Sequence, residues 1–130
     1  MSDDSNRLLR AIAASTVVSG AVQAAFPVFI LRVVGAEPNP STNHCFRIIG
    51  AFMVLFGGML GEAIDNGAAR RTLLIWCAAQ KAIASAAVVL GVSRGIFGPR
   101  GLLVAGFDAA SLFVLMRELQ ASAESGDDSA

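Results

Sequence analysis

The sequence predicts an all-α fold of one kind, an integral membrane, up-down four-helix bundle. Three observations carry that expectation. Apolar residues make up 55% of the 130 positions and charged residues 15%, where soluble domains hold about 25% charged. Four long runs nearly free of charge follow one another along the chain, and segments dense in turn residues separate them. A soluble domain this small needs more polar surface to stay dissolved, so the composition rules out a disordered chain and argues against a water-soluble enzyme.

The first run, residues 11–31, is 21 residues long, enough to cross a hydrocarbon core of about 30 Å at 1.5 Å per residue. Its Val22-Gln23-Ala24 is similar to a small-residue cleavage site, which would make the run a signal peptide. The leader, however, sets Asp3 and Asp4 beside Arg7 and Arg10, and the apolar run continues past that site through Pro27 to Leu31. A retained helix is therefore expected. The second run, residues 48–61, is short, but Arg47 and Glu62 at its ends can snorkel to the interfaces. The third, residues 72–93, is broken only by Lys81, and the fourth, residues 101–116, contains Asp108.

The connections have the chemistry of turns. Residues 35–43 are rich in Gly, Pro, Asn and Ser and are expected to form a solvent loop. Asp65-Asn66-Gly67 marks a sharp turn, and Gly98-Pro99 places a proline where a helix can begin. The tail after Gln120 is Ser, Ala, Gly and acid, and is expected to be disordered. The division that follows is a cytoplasmic N-terminal segment at 1–10, a four-helix transmembrane domain at 11–119 and a disordered acidic tail at 120–130.

Ten basic residues balance ten acidic ones, so no net basic field exists to attract nucleic acid. With four crossings both termini lie on one side, together with Arg7, Arg10, Arg70, Arg71 and Arg117. The other side receives Arg32, Arg47, Arg94 and Arg100. The excess of five over four, with Arg70-Arg71 adjacent in a short loop, points to cytoplasmic termini in a cell membrane.

Lys81 and Asp108 are the two charges inside the expected spans, and each costs about 2.5–3.5 kcal/mol at mid-membrane on insertion scales. Their midpoint falls between Arg94 and Gly95, in the loop joining the third and fourth spans. An antiparallel hairpin turning there sets the two at similar depth, so an ion pair facing the bundle interior is expected. It can be a structural clasp or part of a proton or ion relay, and a net-neutral pair with no further titratable company favours the clasp. Cys77 and Ser85 lie one turn either side of Lys81 on the same face, and with Arg47 they form a candidate polar site.

Small residues suggest where helices approach. Gly57 and Gly61 make a G-x-x-x-G, and Ala78, Ala82 and Ala86 recur every four residues, patterns that let backbones pack closely in lipid. His44 and Cys45 start the second span from one side, and Cys77 enters the third from the other. No zinc or disulfide site follows, and neither a metal nor a cofactor is expected. Trp76 is placed as an interfacial anchor.

Between residue 46 and about 119 the chain resembles a family of small bacterial four-helix membrane proteins with no assigned activity. The residues that carry the resemblance are Phe46-Arg47-Ile48-Ile49-Gly50, Gly57, the arginines before Leu73-Leu74-Ile75-Trp76, Lys81, and Gly106-Phe107-Asp108. It implies the four-helix fold and a recurring Arg47, Lys81 and Asp108, but no biochemistry. The stretch from Gly61 to Asn66 departs from the family in lacking a proline.

Three functions compete. The first is a non-enzymatic accessory or interaction subunit whose partners are the bilayer and further subunits, either copies of itself or a larger membrane complex. The second is a small ion- or proton-coupled transporter acting as a homo-oligomer. A transporter similar to the four-helix multidrug exporters would carry a carboxylate in its first span, where this chain has Gln23, Ser and Thr. The third is a membrane-embedded enzyme on a lipophilic substrate, for which one His, no Tyr and no nucleophile–base spacing supply little acid–base chemistry.

Overall fold

The structure, a computed structural model, describes the backbone of residues 3–127 and the side chains of residues 3–123. Among these residues the fold is entirely helical, with no strand. The helices are α1 (Asp3–Ala25), α2 (Pro27–Val33), α3 (Pro40–Asp65), α4 (Arg70–Ser93) and α5 (Gly101–Asp127). Three of them, α1, α3 and α4, are long and apolar enough to cross a membrane. α5 is as long but includes Asp108, Arg117 and Glu118.

Four boundaries differ from the sequence expectation, each for a local reason. The first apolar run is two helices. Pro27 has no N–H to donate to Gln23 and takes the first position of α2, while Phe26 leaves helical geometry with φ −126° and ψ 59°. α3 begins at Pro40, inside the stretch expected to be loop. Asn39 accepts from the Thr42 amide, the Thr42 hydroxyl accepts from the Asn39 amide, and Pro40 fills the first turn. α1 starts at Asp3, so the leader is helical. α5 runs past Gln120 to Asp127, where disorder was expected; Ala and Glu are good helix formers, and the Ser122 hydroxyl donates back to Glu118 O at 2.8 Å. The remaining tail positions, 128–130, lie outside the described residues.

The helices pack as two antiparallel pairs. α1 lies along α3, with Gly20 against Gly50, Val17 against Gly57, and Arg10 bonded to Asp65 at 2.7 Å. α4 lies along α5, where the Ser85 hydroxyl donates to Ala105 O at 3.0 Å. α3 and α4 join the pairs, with the Cys77 thiol directed at Phe56 O at 3.5 Å. At the end holding both termini, Leu9, Leu60, Leu74 and Leu115 form a fully buried apolar layer with Ile12, Ala63 and Cys77. At the opposite end the two connections meet, the Gly98 amide donating to Val34 O at 2.7 Å. Gly35 and Gly98 touch there backbone to backbone. Gly35 also ends α2 with φ +74°, a value that favours glycine.

The outer surface is apolar. Leu103, Ile83 and Phe113 are 78%, 70% and 65% exposed, and Phe29, Leu55 and Phe52 are exposed with them. Large apolar side chains spread over several helices this way suit hydrocarbon rather than water.

Candidate functional site

Midway along the helices, beneath the leucine layer, lies a buried polar cluster drawn from three helices. Lys81 of α4 donates to Asp108 Oδ1 of α5 at 2.7 Å and to the Thr16 hydroxyl of α1 at 3.1 Å. The side chains of Lys81 and Asp108 are 3% and 7% exposed. Thr16 passes its own proton to Ile12 O at 2.8 Å, so it offers Lys81 only lone pairs. The Phe107 ring lies 5.2 Å from the ammonium, close enough for its face to attract the cation. The hairpin geometry explains the meeting: α4 ends at Ser93, Gly95 turns the chain with φ +71°, and α5 returns alongside.

The ammonium is thus surrounded by a carboxylate, a hydroxyl and an aromatic ring. The carboxylate is less well provided for. Among the described residues only Oδ1 of Asp108 has a hydrogen-bond donor, and the residue also lines a cavity of about 240 Å³ on the far side from the leucine layer. The other polar groups on that wall are Gln23 and Gln80. Gln23 commits one N–H of its amide to Phe46 O at 3.2 Å.

The remaining candidate polar residues do not join the pair. Ser85 and Cys77 each turn to a backbone carbonyl of the neighbouring helix, Ala105 O and Phe56 O. Arg47 reaches across to the end of α1 and donates to Ala24 O at 2.9 Å and Ala25 O at 3.5 Å. It caps two of the last carbonyls of α1, which are left open because the helix ends at Ala25. The Gly57–Gly61 pair is not a packing surface as a unit, because a Cβ on Gly61 would project into open space while Gly57 sits against α1. Ala78 is buried, Ala82 partly so and Ala86 exposed. Residues four apart drift about 40° around a 3.6-residue helix at each step, so an i, i+4 row turns off the contact. His44, Cys45 and Trp76 are exposed, and both cysteines are free. Among the described residues no group of three His, Cys, Asp or Glu could hold a metal ion.

Two features escaped the sequence reading. Thr16 is one of three hydroxyl residues within five positions, Ser15, Thr16 and Ser19, and only packing tells which faces inward. Arg70, counted as a loop charge, is held in a mostly buried contact with Glu118 at 3.3 Å and with Ala63 O at 3.3 Å. The signal available for that pair was their shared end of the hairpin, since α4 starts where α5 approaches its close. Compared with known protein families, with curated proteins and with solved structures, the chain matches none, and the family resemblance of residues 46–119 therefore assigns no role to any residue.

Proposed function

We propose that the chain is a four-span membrane protein in which α5 is the fourth crossing, and that it acts as a non-enzymatic accessory or interaction subunit whose Lys81–Asp108 pair is a structural clasp. The observation that carries this reading is the 2.7 Å contact between two buried, opposite charges on adjacent helices, with Thr16 of a third helix as an added acceptor. Asp108 is the charge that most weakens α5 as a span, and an ion pair with Lys81 offsets that cost for both helices at once. With Asp108 neutralised, residues 101–116 hold no other charge. A relay needs a sequence of groups that take up and release protons, and near Lys81 stand a hydroxyl whose proton is committed, an aromatic ring, and the Cys77 thiol, which is directed at Phe56 O.

The test is purification of the tagged chain from gently solubilised membranes, followed by reconstitution into liposomes. A second protein at fixed stoichiometry, together with no proton or ion flux, is the expected result. A homo-oligomer alone, carrying a flux that Asp108→Asn abolishes, would establish the transporter reading instead.

A further inference from the structure

The cavity below the clasp is built between the two helix pairs at the end where they are joined by loops. α3 and α4 touch at Phe56 and Cys77, and on the loop side of that contact the cavity is lined by Ile49 and Met53 of α3 and by Ala84 and Val88 of α4. Phe46 of α3 and Phe97 of the α4–α5 connection meet edge to face across its wall, their centroids 6.4 Å apart. Val34, whose carbonyl accepts from the Gly98 amide where the two connections meet, and Phe97, next to Gly98, also line it. The volume, about 240 Å³, lies just under the ~300–1,000 Å³ of typical small-ligand sites.

Three features define what fits. The walls are apolar apart from Gln23, Gln80 and Asp108, so most of the occupant is hydrocarbon. Asp108 is more than nine-tenths buried, and its Oδ2 accepts nothing from the described residues. Oδ2 is not among the described side-chain oxygens sealed without a partner, so it keeps an accessible face beside the cavity that Asp108 lines, and the polar end of an occupant satisfies it by donating a hydrogen bond. Lys81 already balances the charge of Asp108 at 2.7 Å. A cation added there would leave an uncompensated positive charge in low dielectric, and an anion would face the carboxylate. The donor is therefore uncharged. We propose that the cavity is a binding site for a neutral amphiphile, a single apolar chain ending in a hydroxyl or primary amide that donates to Asp108 Oδ2. Ile49 and Ala87 line the cavity and are also exposed, which gives an occupant access from the apolar outer surface. The route from lipid rests on the membrane-spanning reading.

The probe is 1-octanol carrying a photoreactive diazirine, added to the full chain in lipid nanodiscs, with labelled positions mapped by mass spectrometry. Labelling is expected to concentrate on Met53, Val88 and Phe97 and to saturate. Unlabelled 1-octanol is expected to suppress it at least tenfold more effectively than octyl methyl ether, which has the same chain and no donor. Ala84→Phe, which fills the cavity from α4, is expected to reduce labelling at those positions at least tenfold while the chain still unfolds in one cooperative transition. Should that variant fail to fold, the alcohol–ether comparison on the unaltered chain decides alone. Equal competition by the ether overturns the donor assignment. Unsaturable labelling spread over exposed positions such as Leu55, Ile83 and Leu103 overturns the cavity site while leaving the helices in the membrane. A lipid-borne probe that labels no helix overturns the spanning reading and the site with it.

Discussion

At the scale of single residues, the molecule turns on how one lysine and one aspartate are held. Each removes the other's reason to be expelled from low dielectric, so truncating one strands its partner. Lys81→Met or Asp108→Leu is expected to cost about 3–5 kcal/mol of stability. The double variant is expected to recover much of that loss, because no charge remains to desolvate. Unfolding of both singles and the double, measured as a thermodynamic cycle in detergent, checks this. Additive losses would mean that the two side chains do not act on one another. Thr16→Val removes one acceptor from the ammonium and is expected to cost about 1–3 kcal/mol. The cysteines give a geometric check. The Cys77 thiol lies against Phe56 O, and Cys45 is eleven residues back along α3, about 16 Å at 1.5 Å per residue. That exceeds the ~7 Å between Cα atoms that a disulfide spans. Mass spectrometry of oxidised monomer is expected to show no 45–77 linked peptide, and finding one would overturn the α3–α4 pairing. The charged pair was legible because two charges in apolar runs, equidistant from a turn, have few other partners. Thr16 and the outward routes of Ser85 and Cys77 were not, because a hydroxyl or thiol bonds its own or a neighbouring backbone equally well.

At the scale of helices, glycine sets which faces meet. α1 and α3 approach until a Cβ on Gly50 would lie 2.5 Å from the Ala24 amide nitrogen, and one on Gly57 2.7 Å from a Val17 methyl. These two glycines are seven residues apart, a spacing that drifts only about 20° on a straight helix, so both stay on the α1 side. Gly58 and Gly61 face open space. Gly50→Ala is expected to push the pair apart and cost about 1–3 kcal/mol, as overpacking does, whereas Gly61→Ala is expected to be neutral or slightly stabilising. Thermal unfolding of the two variants side by side makes the comparison, and equal losses would show that the α1–α3 contact is not set by these glycines. Of the G-x-x-x-G pattern, Gly57 meets α1 and Gly61 meets nothing within the chain, since sequence spacing says which residues share a face and not which face finds a neighbour. The helix count was legible to the extent that charge gaps mark apolar runs. The α1–α2 break and the early start of α3 depended on how Pro27 and Pro40 were used, Pro27 breaking one helix as it opens the next and Pro40 opening a helix after a loop, and a proline in a sequence permits either.

At the scale of the whole molecule, charge divides between the two ends. The end formed by α2 and the connections carries Arg32, Arg47, Arg94 and Arg100 against Glu37. The end with the termini carries five arginines, three of them paired: Arg7 with Asp4 at 3.9 Å, Arg10 with Asp65 at 2.7 Å and Arg70 with Glu118 at 3.3 Å. If orientation follows the count of basic residues, which acidic neighbours alter little, five against four keeps the termini in the cytoplasm. Reporter fusions at Gly67 and after the last residue are then expected to report the cytoplasm, with those at Asn39 and Gly98 opposite. A C-terminal reporter on the Gly98 side would mean that α5 does not cross. The margin is one charge, so the orientation is expected to be fragile in a defined way. Arg71 and Arg117 are exposed and stand in none of the three pairs at this end, and surface changes of that kind usually alter stability by less than about 0.5 kcal/mol. Changing both to Gln leaves three basic residues at the termini against four at the loops. The reporters at Asn39 and Gly67 are expected to exchange sides in at least part of the population, while thermal unfolding stays where it was. Reporters that hold their sides in the double variant would show that orientation is fixed by something other than this count, and the assignment of cytoplasmic termini would lose its basis.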